Sequence, residues 1–358
     1  MAAGKWEAIV EPSGELGRRA RSLLDSVTSE LQDNPALDAA LFLAYRGEAE
    51  RNSRWMKRAI EHLNTAILDA DAFYSTRTFD LFGGLSGLGW SVEHVMRQLA
   101  RFHGSGNRES RATDELNGDT DAALLLELQR GRWRGNYDLV SGLTGIGSYF
   151  LKRLPAPNAK LGLELVLAHL EAAAGPATIF NGKPGVANGL GGLLYLVSDA
   201  VAAGIGSPGT RRLVTACEQA RLDGRERCEE SCFWWDGSLG VAAVRFRSAH
   251  ASTFEQVLER CMECAPEGDA SLLRGAAGVA HMWGRLYGRS GDPKYRAAAL
   301  RWWEQAIWCT EATTPAARAA GVEFLTGSAG FGLALSAALT PVEPEWDGIL
   351  GLSAPNTI

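Results

Sequence analysis

Tyr137-Asp138-Leu139-Val140-Ser141-Gly142-Leu143-Thr144-Gly145-Ile146-Gly147 is one copy of a pattern that recurs along the chain. A short polar stretch ends in Gly-x-x-Gly, and an apolar segment follows at once. Other copies begin at Gly84, Gly189, Gly237, Gly275 and Gly327. Successive first glycines stand 58, 47, 48, 38 and 52 residues apart. A degenerate copy, Pro35-Ala36-Leu37-Asp38, lies 49 residues before Gly84 and leads into the apolar run Ala39 to Tyr45. Seven copies at one approximate period mark a repeat architecture, with each repeat a single supersecondary unit.

The segments between the motifs define that unit. Residues 55–70 place Trp55, Ala59, Ile60, Leu63, Ala66 and Ile67 on one helical face. Residues 117–131, 160–174, 211–222, 252–264 and 294–309 carry a similar stripe, with charges opposite. Each Gly-x-x-Gly is followed by a stretch that is apolar all round, such as Leu193-Leu194-Tyr195-Leu196-Val197. A striped helix is half solvated and a uniformly apolar one is buried. Each unit therefore reads as an outer helix, a loop and an inner helix. The fold class expected is all-α: an α/α toroid of seven inner and seven outer helices, in one domain over 1–358. The glycines would let neighbouring backbones approach and tolerate unusual φ/ψ. The inner N-termini would present unpaired N–H groups to a polar or anionic ligand.

Composition sets the outer bounds. The chain has 358 residues, 46% hydrophobic and 22% charged, with 41 Gly but only 13 Pro. That is globular composition, and the glycine excess belongs to the repeats rather than to a linker. The net charge of −6 gives no basic field for nucleic acid. No apolar run of about 18 residues suggests membrane insertion, and Met1 to Gln32 lacks a secretory h-region. Six Cys are too few for a disulfide scaffold. A cytoplasmic location is expected.

Candidate functional residues follow from the repeat register. Immediately before the first glycines stand Gly83, Ser141, Asn188, Asp236, Arg274 and Thr326. Four residues before them stand Asp80, Asp138, Gly185, Phe233, Ser271 and Glu323. Ser141 and Thr326 read simply as N-caps. Arg274 does not, because a cation opposes the dipole of a helix N-terminus. It calls for an acidic neighbour, with Asp236, Asp138 and Asp80 available, or for an anionic ligand. Trp234 and Trp235 offer either a stacking wall or core packing. Cys228-x3-Cys232 and Cys261-x2-Cys264 would suit a structural zinc site, though Cys on an outer helix more often simply packs. The six His are scattered, and His281 reads as a core residue.

Taken together, these motifs resemble the lanthionine synthetase C-like (LanC-like) family, the cyclases of lanthipeptide biosynthesis. The resemblance rests on Ala40 to Tyr45, Tyr137 to Gly147, Gly275-Ala276-Ala277-Gly278-Val279-Ala280-His281 and Trp346-Asp347-Gly348-Ile349-Leu350. It implies the same toroid, and a zinc ion that activates peptide thiols for addition to dehydrated Ser or Thr. The family's metal positions are altered here. Trp-Cys-Tyr-Gly is Trp234-Trp235-Asp236-Gly237, and Cys-His-Gly is Leu273-Arg274-Gly275. His-Gly is Asn188-Gly189, and the Arg four residues before the first zinc Cys falls at Ser231. Only Asp138 keeps the family's acidic position.

The expectation is a zinc-independent member of a lanthipeptide- or linaridin-type pathway, with no metal and no cofactor. Its partners would be a precursor (leader-core) peptide and another maturation protein. Asp138, Arg274 and Asp236 would serve catalysis. Asn188, Trp235, Asp80 and Trp234 would bind substrate. The alternatives are a non-catalytic peptide-binding or scaffolding pseudo-cyclase, and a toroidal glycoside hydrolase using two of Asp80, Asp138, Asp236 and Glu323.

Overall fold

The computed structural model describes residues 6–69, 78–104, 106–173, 175, 179–180, 183–222, 232–246, 255–312 and 321–353. Among them lie fourteen α-helices, one final 3-10 turn (Glu345–Leu350) and no strand. The helices alternate in kind. Those following the repeat motifs are α2 (Leu37–Glu50), α4 (Leu85–His103), α6 (Leu143–Arg153), α8 (Leu190–Ala202), α10 (Ser238–Arg245), α12 (Ala276–Ser290) and α14 (Ser328–Leu339). Between them run α1 (Glu15–Gln32), α3 (Ser53–Leu68), α5 (Gly106–Leu128), α7 (Pro157–Glu171), α9 (Pro208–Leu222), α11 (Glu255–Glu263) and α13 (Pro293–Ala312).

Burial separates the two sets as the sequence pattern predicts. Every residue of α14 from Ala329 to Leu339 is buried, as is all of α10. In α3 the buried residues are Met56, Ala59, His62 and Leu63, so the covered face is centred slightly off the stripe expected through Trp55 and Ile60. The inner helices thus carry the core, at roughly 1.5–3 kcal/mol for each large apolar side chain fully removed from water.

The chain divides into two compact units, each discontinuous in sequence. One contains residues 1–66, 230–234 and 238–346; the other contains 67–229, 235–237 and 347–358. In the first unit α10, α12, α14 and α2 pack as successive neighbours, with α13 against α12 and α1 against α14. Its core includes Trp346, fully buried and stacked on His281 at 4.7 Å. In the second, α4, α6 and α8 are neighbours, each backed by the helix that follows it. A buried ionic cluster pins α4, α5 and α6 together. Arg153, 3% exposed, reaches Glu93 at 2.8 Å and Asp121 at 2.9 Å, and Tyr149 donates to Asp121 at 2.5 Å. Buried charges persist only when paired in this way.

Candidate functional site

The loops before α4, α6, α8, α12 and α14 share one backbone design. The first helical N–H donates to the carbonyl seven residues earlier: Leu85 to Thr78, Leu143 to Asn136, Leu190 to Lys183, Ala276 to Asp269 and Ser328 to Gly321, at 2.7–3.1 Å. Before α6 the next two donors follow suit, Thr144 to Tyr137 and Gly145 to Asp138, both at 3.3 Å. The expectation that these N-termini hold open N–H groups for a ligand is therefore corrected. The loop coils back and satisfies donors that a helix start otherwise leaves to water or a side chain.

This coil explains the glycines. A Cβ on the second glycine of each motif would lie within 3 Å of the carbonyl oxygen six residues earlier, in all six copies from Gly87 to Gly330. A Cβ on Gly84, Gly142, Gly189, Gly275 or Gly327 would meet the backbone four residues earlier, as that on Gly142 would meet the Asp138 nitrogen at 2.5 Å. Their φ values, −105° to −151° at Gly84, Gly142, Gly189, Gly275 and Gly327, are ordinary extended backbone. Close approach within the loop, not unusual torsion, excludes a side chain at these positions.

The loops are also joined edge to edge. In the second unit Leu81 and Phe82 donate to the Val140 carbonyl, Leu139 to Ala187, and Ala187 to Trp235, at 3.0–3.3 Å. In the first unit Leu272 and Leu273 donate to Leu325 at 3.1 and 3.0 Å. Phe324 then donates to the Asp38 carboxylate at 2.8 Å. The glycine-less first repeat thus uses a side chain where the others use a carbonyl. Burial pushes the Asp38 carboxyl up to about 6, with Glu323 adding to the rise and the Phe324 N–H opposing it.

Two of the expected site residues stand close together in the second unit. Asp138 accepts the Ser141 N–H at 2.7 Å, and the Ser141 hydroxyl lies 3.3 Å from its other oxygen. Asn136 in turn donates to that hydroxyl at 3.2 Å. Asp80 is half-buried; burial raises its pKa, and the charge of Asp138 raises it further. Asp80 and Ser141 line a cavity of about 630 Å³ together with the loop from Arg130 to Asn136.

The other expected residues are placed as follows. Asp236 is exposed and Trp235 half-buried in the second unit, where the Trp235 carbonyl receives the Ala187 N–H. Asn188 is half-buried on the neighbouring loop. Trp234, in the first unit, is 1% exposed, so it packs in the core and offers no stacking wall. Arg274 is exposed in the first unit, and its N–H donates to the Ser271 hydroxyl at 3.4 Å. Sequence reasoning missed Asp269, which accepts the Ser271 N–H at 2.7 Å, and the arginine-rich cavity wall. The signal for that wall was present in Arg130-Gly131-Arg132-Trp133-Arg134, just outside the repeat register.

Of the four cysteines, Cys228 lies outside the described residues, as does Ser231. The Cys232 thiol is 2.7 Å from that of Cys264 and 3.4 Å from the Cys261 carbonyl oxygen. Its hydrogen bond to Cys261, then burial, pushes the Cys232 thiol up, and the same bond holds Cys261 down. No group of three or more His, Cys, Asp or Glu among the described residues is arranged to hold a metal ion. No described helix is long and apolar enough to cross a membrane.

Paired helices with glycine-capped loops and a carboxylate-edged cavity describe an α/α toroid, and a solved structure of that class is similar. It is nisin cyclase, with a TM-score of 0.69 and 15% identity, over 94% of this chain and 97% of that one. The family model of lanthionine synthetase C-like proteins matches residues 39–350, and the chain belongs to that family. No curated protein matches it by sequence.

Proposed function

We propose that this chain is a zinc-independent LanC-like protein of a ribosomal peptide pathway, lanthipeptide- or linaridin-type. It acts on a precursor peptide in dehydration or thioether maturation, together with a partner protein. Family membership and the nisin cyclase fold support the peptide-directed role. The donor chemistry at the family's metal positions supports zinc independence. Trp235 offers only an indole N–H, Leu273 offers nothing, and Arg274 is itself a cation. These residues do not fit a zinc ion.

The observation that carries the reading is the carboxyl pair. Asp138 is oriented by two donors from Ser141, while burial, and then the charge of Asp138, raises the pKa of Asp80. Environments that differ in this way divide acid and base roles between two carboxyl groups. In thioether addition the sulfur loses its proton as it bonds to the dehydroamino acid's β-carbon, and the α-carbon gains one. Asp138 is assigned the first transfer and Asp80 the second. Asp236 and Asn188 orient the peptide, and Arg274, in the other unit, is kept as a separate candidate for anionic groups of the substrate.

The test is reconstitution with the precursor and the neighbouring gene products, read by mass spectrometry, with metal analysis of the same sample. Asp138→Ser, chosen because Ser271 fills the equivalent backbone role, should keep the fold and abolish maturation. Maturation by Asp138→Ser and by Arg274→Ala at the wild-type rate would exclude these roles. The altered metal positions also favour a scaffolding pseudo-cyclase. That reading predicts that both variants bind the peptide normally and support the partner enzyme fully.

A further inference from the structure

The cavity beside Asp80 has a wall that the proton-transfer roles do not use. Arg130, Arg132 and Arg134 all line it. Arg130 is neutralised by Glu127 at 2.7 Å. Arg132 and Arg134 are exposed, and among the described residues neither has an acidic partner. Between them Trp133 is fixed in place. Its indole N–H donates to the Asn136 carbonyl at 2.8 Å, and a Cβ on Gly135 would lie 2.8 Å from its ring. Two unpaired guanidinium groups thus flank an aromatic ring anchored by its indole N–H, and the ordering of the two arginines is a cost that binding must repay.

We infer that this wall binds an acidic side chain of the peptide substrate, its carboxylate on Arg132 and Arg134 and its backbone across Trp133. The residue to be processed is thereby set at Asp80 and Asp138. The inference rests on the peptide-directed role proposed above and adds a sequence preference to it. Guanidinium groups suit planar carboxylates through paired hydrogen bonds. A polyanionic nucleic acid does not fit, because the chain's net charge is −6 and the positive wall is local.

Fluorescence anisotropy of a blocked, labelled Glu-rich peptide with the full chain tests this without any turnover. The Gln-for-Glu peptide and a Lys-rich peptide are the comparisons. The Glu peptide should bind at least about tenfold more tightly than the Gln peptide, and binding should weaken with salt. Arg132→Glu with Arg134→Glu should remove that preference and favour the Lys peptide. Arg212→Glu, an exposed site outside the cavity, should change nothing. Thermal melts of the double variant should match wild type, and gain of Lys-peptide binding independently shows that its receptor is intact. Equal binding of Glu and Gln peptides, or an unchanged preference in the double variant, overturns the inference. So does displacement by inorganic phosphate at lower concentration than by N-acetylglutamate amide. If the Glu preference stands but Asp138→Ser matures the precursor normally, the proton-transfer reading fails alone.

Discussion

The loops before α6 and α12 have one backbone and two chemistries. In each, the side chain four residues before the first glycine accepts the N–H of the residue just before that glycine. Asp138 does so for Ser141 at 2.7 Å, and Ser271 does so for Arg274 at 3.4 Å. Since a serine can hold the loop, the charge of Asp138 is not required for architecture. At the adjacent position the exchange is reversed: neutral Ser141 in one loop, cationic Arg274 in the other. The comparison separates what the repeat demands from what a particular copy does with it.

The strongest way to break the comparison is to attack what the loops share. Gly145→Ala and Gly278→Ala each force a Cβ onto a carbonyl that has little room to move. Each should cost about 3 kcal/mol or more in urea unfolding. Similar losses at both sites would establish one common backbone device. A loss below about 1 kcal/mol at either would show that its loop relaxes independently.

A second probe concerns the link that uses a side chain. Asp38 has its carboxyl raised to about 6, above the ordinary Asp value. Between those two pH values the folded chain binds more protons than the unfolded chain, so stability falls as pH rises through that window. The cost of an ionised Asp38 is then fully present at higher pH. Asp38→Asn retains an oxygen for the Phe324 N–H and removes the charge. It should stabilise the protein by about 1–3 kcal/mol at pH near 8 and by almost nothing near pH 4. Denaturant melts at the two pH values check both the sign and the window.

The smallest stability effects should come from exchanging the two acceptors. Asp138→Ser and Ser271→Asp should each shift unfolding by less than about 1 kcal/mol, the scale of one hydrogen bond. Only the first should affect maturation. A stability loss several times larger for Asp138→Ser would return that carboxylate to a purely structural role.

The repeat was legible in the sequence because steric exclusion at Gly142 and Gly145 recurs at fixed spacing in the other loops. The inner and outer helices were legible from burial pattern, as in α14 against α3. The capping was not. A backbone N–H donating to a backbone carbonyl seven residues away leaves no side-chain signature beyond the glycine that permits it. The same holds for the links between loops, visible in sequence only where Asp38 replaces a carbonyl. Arg132 and Arg134 escaped notice because they precede the register used to find the site. Trp234 was misjudged because adjacent aromatic residues give no sign of which one faces the core.

The self-capped helix start has a consequence for how such a protein changes over time. Because backbone atoms hold the loops before α4, α6, α8, α12 and α14 to their own helices, side chains just before the first glycine carry little of the folding energy there. They behave as interchangeable inserts in a fixed socket. Leu and Arg at 273 and 274 could be acquired one at a time without passing through an unfolded ancestor. New chemistry on this frame then requires only exchange of its inserts, while the glycines stay put.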